Sequence, residues 1–302
     1  MSRKNEIFET ITAEVVKHLQ QGVKPWTRCW CSGLPCNYIT KRAYQGINFV
    51  YLSMLNFPSP YFLTFLQTQQ KKGLVNKGAK GLDIIYYELK TFEYIKGSEV
   101  ETKRFPFMKF SKVFNLSQTS LYVPDQKPLI IECEELLQRF QVQPVIKHNI
   151  SSCHYNPRTD EISIPVIGDF NCPEEYYASV FHESIHFTGH PSRLNRLNIE
   201  SEEDKAFEEL VAELGASYLC AMSGISPAVL ENSAAYIQGW SQLLTDKPTA
   251  LASAAALAQK AVIYLLGTNQ LDQPENNLLQ TENSICTADE SSYYYNRFLI
   301  SR

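Results

Sequence analysis

The sequence predicts an α+β fold in two units: an N-terminal α+β domain, then a mainly helical C-terminal domain with a small sheet. Three observations predict it. The longer strand-like stretches fall within residues 83–114, with short runs near 145–148 and 161–164, whereas residues 173–267 are helical in pattern throughout. The 302 residues exceed what one hydrophobic core commonly holds, about 250 to 300 residues. Charge is also split: residues 1–125 carry 17 Lys+Arg against 9 Asp+Glu, and residues 126–302 carry 11 against 23, within a net charge of −4. The halves therefore differ in the partners they suit, and the basic one suits a polyanion. Mutual neutralisation across a contact explains the split equally well.

Residues 5–22 read as an amphipathic helix, with Ile7, Ile11, Val15 or Val16, and Leu19 at three-to-four spacing, stopped by Gly22 and Pro25. Residues 26–50 read as loop. A helix is expected near Tyr61–Lys72, ending at Gly73, and strands at Asp83–Tyr94 and Lys103–Phe114, the latter interrupted by Pro106. Pro124 and Pro128 mark the boundary between a unit at 1–125 and one at 126–267, with few contacts expected across it. The second unit opens with a helix near Cys133–Phe140 and a strand near Val145–His148. Asn156-Pro157-Arg158-Thr159-Asp160 has turn chemistry and leads into the alternating strand Glu161–Ile164. Residues 268–302 are rich in Asn, Gln, Asp and Ser, and a loosely packed tail is expected there.

Composition excludes several classes. At 44% hydrophobic and 20% charged residues the chain can bury real cores, so disorder throughout is out. The longest apolar run, Ala250–Leu266, is cut by Gln259 and Lys260 and falls short of a membrane span. The N-terminus lacks a secretory apolar segment, so a cytoplasmic protein without a membrane partner is expected. Eight cysteines in a chain this long do not make a disulfide framework. The cluster Cys29, Cys31 and Cys36 lacks zinc-knuckle spacing, and reduced thiols are expected.

The chemistry-bearing pattern is His182-Glu183-x-x-His186. Pro173 suits a first helical turn, Glu174 and Glu175 favour a helix N-terminus, and Gly189 can end the helix in a left-handed cap. One turn apart on one face, His182 and His186 can share a divalent ion, with Glu183 placed to take a proton from a water activated there. A third ligand is then required. His190 lies eight residues from His182, roughly 12 Å along a helix, too far unless the helix breaks after Thr188. Ser192 stands where a metzincin would carry its third histidine. The better candidate is Glu209, with Glu208 as alternate, on the helix containing Glu208–Ala216. Glu213, one turn on, would satisfy a ligand histidine's free N–H. His154, Tyr155 and His190 are candidates to oppose Glu183, none favoured. Strand Glu161–Ile164 is the expected edge for an extended peptide substrate.

A second constellation is basic and aromatic. Trp26, Trp30, Tyr38 and Tyr44 are interspersed with Lys24, Arg28, Lys41 and Arg42, and a mobile loop is expected where Lys71, Lys72, Lys77 and Lys80 stand among three glycines. Aromatic platforms beside cations suit single-stranded nucleic acid, although aromatics at this density more often form core.

The string from His182 through Thr188-Gly189-His190-x-Ser192-Arg193-Leu194-Asn195-Arg196, with Glu208–Ala216 after it, resembles the zincin-type metallopeptidase domain of ArdC-type antirestriction proteins. The run Ala235-Tyr236-Ile237 with Trp240 is similar too. Upstream, Gly22-x-x-Pro25-Trp26, Tyr44-x-Gly46-Ile47-Asn48, Lys77-Gly78-x-Lys80-Gly81 and Val113-Phe114-Asn115 resemble that family's N-terminal single-stranded-DNA-binding domain. The resemblance implies Zn2+, or another divalent ion such as Mn2+, on His182, His186 and Glu209, with Glu183 as general base. It also implies DNA contacts in the first unit, for which Trp26, Lys41, Arg42, Tyr44, Lys71, Lys72, Lys77 and Lys80 are the candidates. The implied role is protection of incoming mobile-element DNA, with a protein of the host restriction machinery as substrate. A non-enzymatic DNA protector with a structural metal, and an intracellular metallopeptidase without a DNA role, are the alternatives.

Overall fold

The computed structural model describes residues 3–27, 33–96, 99–124, 131–148, 152–225 and 233–267. Trp30, Cys29, Cys31 and the segment after Gly267 lie outside them. Helix α1 (Arg3–Gln20) buries Ile11, Val15 and Leu19 as its spacing predicts, but at its start Phe8 is buried and the expected Ile7 only half-buried. Gly22 closes it at φ 73°, where Val23 N–H bonds back to His18 O at 3.0 Å. Trp26 follows in a short 3-10 turn, Pro25–Thr27. The first sheet comprises β1 (Cys36–Asn37), β2 (Tyr61–Thr64), β3 (Leu82–Lys96) and β4 (Glu99–Asn115) in the order β1-β2-β4-β3, with β1 and β2 parallel and the other neighbours antiparallel.

Three elements differ from the sequence expectation. Helix α2 (Ile47–Met54) occupies the end of the expected loop; seven of its eight residues are buried, so no polar face marks its period. The helix expected over Tyr61–Lys72 starts only at Phe65. Tyr61-Phe62-Leu63 is buried, Phe62–Thr64 pairs with β4, and α3 (Phe65–Gln70) begins behind a Thr64–Gln67 capping box. Strand β4 runs straight through Pro106, paired with Leu89. The side chain of Asn48 bonds both the N–H and the C=O of Ile85, so the backbone of Ile85 faces away from β4. Antiparallel pairs alternate, so Leu89–Pro106, four residues on, also lacks cross-strand bonds and the missing proline N–H costs nothing.

The second half contributes α4 (Cys133–Gln138), the short strands β5 (Val145–Lys147), β6 (His154–Asn156) and β7 (Glu161–Ser163), and helices α5 (Pro173–Thr188), α6 (Glu202–Ser223), α7 (Ser233–Asp246) and α8 (Ala250–Leu266). The sheet order is β5-β7-β6, so β7 lies in the middle. The expected peptide-binding edge at Glu161–Ile164 is therefore already paired on both sides. Alternation identifies a strand but not its neighbours. No single helix among the described residues is long and apolar enough to cross a membrane.

Contacts across the boundary are not few. One hydrophobic cluster joins Phe8, Val15, Leu19, Trp26, Phe49 and Val50 to Phe181, Leu214, Tyr218, Trp240 and Leu251. Thr12 Oγ1 donates to Pro248 O at 2.9 Å, and Phe49 packs on Tyr218 with ring centroids 4.9 Å apart. The apolar faces of α1 and α2 exceed what a four-stranded sheet covers, and they bury against α6, α7 and α8 instead.

Candidate metal centre

Helices α5 and α6 bring the acidic and histidine residues together because Gly215 lets them approach: a Cβ there would meet Ile185 Cδ1 at 2.7 Å. Pro173 opens α5, and Glu174 and Glu175 sit in its first turn. Gly189 ends it, but at φ −77°, not in the expected left-handed conformation. Space is tight there, since a Cβ would lie 3.0 Å from both His186 O and Leu197 Cγ.

His182 Nε2 and His186 Nε2 lie 3.2 Å apart, and Glu209 Oε2 lies 3.4 Å from the first and 3.7 Å from the second. A divalent ion with bonds near 2.1 Å in tetrahedral geometry separates its ligand atoms by about 3.4 Å. His182, His186 and Glu209 are the group among the described residues with this metal-ligand arrangement. Two imidazole nitrogens facing each other at 3.2 Å need either a shared proton or a cation between them. Burial of His186 favours its neutral form, but Glu208, Glu209 and Glu183 overrule it and hold its pKa up at about 10. Glu209 is half-buried, which opposes ionisation, yet the two histidines keep its carboxyl far below the usual range.

The outer imidazole nitrogens each face a carboxylate. His186 Nδ1 is 3.2 Å from Glu208 Oε1, and Arg196 clamps that carboxylate with Nε and Nη2, both at 2.9 Å. Glu208 thus stands behind a histidine, not in the alternate ligand position. His182 Nδ1 is 3.9 Å from Glu213 Oε2, the neighbour expected for Glu213. Glu213 Oε1 accepts from Lys24 Nζ at 2.9 Å and from Trp26 Nε1 at 3.4 Å. Glu183 is buried, and its Oε2 accepts the Tyr155 backbone N–H at 2.7 Å.

None of the three candidates to oppose Glu183 has a ring atom committed to the centre among these contacts. The Tyr155 hydroxyl donates to Asp160 at 2.6 Å and accepts from Arg193 at 2.9 Å, His190 Nδ1 bonds Ser192, and His154 is exposed. Residue Tyr236 on α7, which the sequence named only within the family-like run Ala235-Tyr236-Ile237 with Trp240, is raised in pKa by burial and then by the nearby Glu209 and Glu183 carboxylates; its ring stacks on Trp240. That run gave it no role at the centre; its i, i+4 spacing to Trp240 predicts only an aromatic pair.

The basic and aromatic constellation is dispersed by folding. Trp26 is fully buried in the core and cannot stack on a base. Lys24 is buried in its ion pair with Glu213. Tyr44 is half-buried edge-on against Phe62, and burial pushes its hydroxyl up to about 12. Lys41 Nζ lies over the rings of Tyr38 and Tyr61, at 4.5 and 4.2 Å, and burial lowers its pKa. Arg42, Lys71, Lys72, Lys77 and Lys80 are exposed. The loop carrying the four lysines, expected to be mobile, is tied down: Leu74 N–H bonds Ser120 Oγ, Ser120 N–H bonds Leu74 O, and Asn76 N–H bonds Gln118 O, each at 2.9 Å.

A histidine pair on one helix and a glutamate on the next define a zincin-like centre, and residues 132–257 match the model of a zincin-like metallopeptidase domain. Residues 5–114 match the N-terminal domain of the anti-restriction factor ArdC. The metal-free structure of the antirestriction protein ArdC from plasmid R388 is 31% identical, with a TM-score of 0.70 over 85% of this chain and 95% of that one. The Mn(II)-bound structure of the same protein is 30% identical, with a TM-score of 0.69 over 88% and 97%. The chain belongs to the ArdC-type antirestriction family. A DNA primase TraC of Escherichia coli is 28% identical over 305 residues, which is 92% of this chain but 28% of that protein. The chain therefore spans little more than a quarter of that curated relative.

Proposed function

We propose that this chain binds single-stranded DNA through its first half and protects incoming DNA from restriction, and that its second half holds a divalent ion in a peptidase-like centre. The observation that carries the metal assignment is the triangle of His182 Nε2, His186 Nε2 and Glu209 Oε2, with sides of 3.2, 3.4 and 3.7 Å. The Mn(II)-bound state of the R388 relative supports it. The ion would act as a Lewis acid toward a water and a carbonyl oxygen. Glu208 and Glu213 orient the imidazoles so that both Nε2 lone pairs face inward. Glu183, oriented by the Tyr155 N–H, accepts a proton from the attacking water. A host restriction protein is the class of substrate that fits antirestriction.

For the DNA, the exposed Arg42, Lys71, Lys72, Lys77 and Lys80 supply phosphate contacts, and exposed Phe65 and Leu74 flank the first lysines in the chain. The test has two arms. Purified protein should carry one divalent ion, lost in Glu209→Ala and His186→Ala, and Glu183→Ala should keep the ion while losing hydrolysis of restriction-system proteins. Salt-dependent binding of a labelled oligonucleotide should weaken when Lys77 and Lys80 become alanine.

A second reading, a metal that serves structure alone, is favoured by one observation: Lys24 and Trp26 of the first half reach Glu213 beside the centre. Antirestriction that survives Glu183→Ala but not Glu209→Ala selects it.

A further inference from the structure

Residue Lys24 lies 189 residues before Glu213 in the chain, yet it has only 7% of its side chain exposed against that glutamate's 4%. Its ammonium also lies 5.6 Å from the centroid of the Trp240 ring, and Trp26 packs against the same ring at 5.9 Å. Trp240 is anchored in turn by its Nε1 to Ala206 O at 3.0 Å, and Tyr236 stacks on it. A lysine this deep requires a specific counter-charge, and Glu213 is that counter-charge. Glu213 uses Oε1 for Lys24 and Trp26, which leaves Oε2 aimed at His182 Nδ1, 3.9 Å away. His182 Nδ1 is itself buried and makes no hydrogen bond.

We propose that Lys24 is a positioning residue for the metal centre: through Glu213 it holds His182 in the ligand orientation, so the N-terminal segment around residues 24–26 sets the affinity for the ion. The inference rests on the metal assignment of the previous subsection and goes beyond it. Lys24 and Trp26 fix one oxygen of Glu213 and so fix the rotation of the carboxylate. When His182 turns its Nε2 lone pair to a cation, Nδ1 carries the proton, and Glu213 Oε2 is the acceptor in place to receive that bond. Without Lys24 the carboxylate loses both its partner charge and its anchor, and His182 loses its aim. Coupling of this kind is reciprocal: whatever the segment contributes to ion affinity, the ion returns as firmer docking of the segment on α6. Occupancy of the metal site and the seating of the N-terminal half therefore become one equilibrium.

The test is calorimetric titration of the full-length chain with Mn2+, after a melting curve has established that each variant is folded. Lys24→Met should weaken Mn2+ binding about 10- to 100-fold, as loss of an outer-sphere partner does, and Lys24→Arg should recover most of it. Trp26→Phe, which removes one N–H donor and retains a ring, should weaken it by a smaller factor. Glu213→Gln and the double variant Lys24→Met/Glu213→Gln should bind Mn2+ equally weakly, because Lys24 acts only through that carboxylate. Should Lys24→Met alone fail to fold, Trp26→Phe, which keeps the Lys24–Glu213 ion pair and removes only the second donor to the same oxygen, decides the matter: wild-type Mn2+ affinity in that variant overturns the proposal. Wild-type affinity in folded Lys24→Met, or losses that multiply in the double variant, overturns the proposal. Absence of Mn2+ binding by the wild type overturns the metal assignment itself, a different result from binding that ignores Lys24.

Discussion

The two histidines of the centre are supported in contrasting ways. On the His186 side, Glu208 and Arg196 lie 22 and 12 residues from the groups they serve, contact distances are 3.2 and 2.9 Å, and everything comes from α5, α6 and the loop between them. On the His182 side the gap to Glu213 is 3.9 Å, and the residue that anchors Glu213 comes from the opposite end of the chain. One histidine is supported by local sequence; the other waits for the tertiary fold. Half of the centre is thus a property of a helix–loop–helix unit, and half is a property of the assembled molecule.

The largest effect expected removes the comparison altogether. His186→Ala or Glu209→Ala should abolish stoichiometric Mn2+ or Zn2+ binding, read as metal content after gel filtration. Next, Trp26→Ala should cost about 3–5 kcal/mol of stability, measured by denaturant unfolding, because it leaves a ring-sized cavity in the shared core. Arg196→Met should cost a comparable amount, about 3–5 kcal/mol, by stranding the buried Glu208 carboxylate. It should also weaken Mn2+ binding less than removal of either ligand, and ion affinity unchanged in a folded variant would deny the His186 side its support. Smaller still, each of Lys77→Ala and Lys80→Ala should lower the slope of log affinity against log salt for a single-stranded oligonucleotide by about 0.7.

The smallest prediction concerns pH. The Arg193 guanidinium, followed by the Tyr155 hydroxyl, holds the Asp160 carboxyl down at about 2 from an ordinary 3.8. A carboxyl depressed by folding stabilises the fold above its ordinary pKa, and that contribution is lost as pH falls toward 2. Asp160→Asn should therefore flatten the loss of melting temperature between pH 4 and pH 2 and leave its slope near neutrality unchanged.

The grouping of His182, His186 and Glu209 was legible because helical periodicity is local: four residues separate His182 from His186, and Glu209 from Glu213, and one turn determines which side chains share a face. The same local logic placed α1, the two long strands and the helices of the second half. What it could not supply was partnership. Trp26 and Lys24 read as a nucleic-acid surface because aromatic and cationic residues look alike whether they meet a base or a buried glutamate. Strand β7 alternates correctly, but whether it lies at an edge is decided by β5 and β6 on either side. Helix α2 was missed because burial on all sides erases the polar period that reveals a helix.

Strands β3 and β4 remain paired for fifteen residues, a ribbon about 50 Å long, while β2 supports β4 only at Val113–Asn115. Mechanically this is a cantilever. About 35 Å of it extends past Ile85, so a tilt of about 5° at the root sweeps the far end by about 3 Å. The root of the arm is held by the packing of Ile84, Ile85 and Val113, by the pairing with β2, and by the Asn48 side chain, which grips both backbone groups of Ile85. Any loosening at that short root is multiplied along the arm, so the packing there sets how far the far end travels.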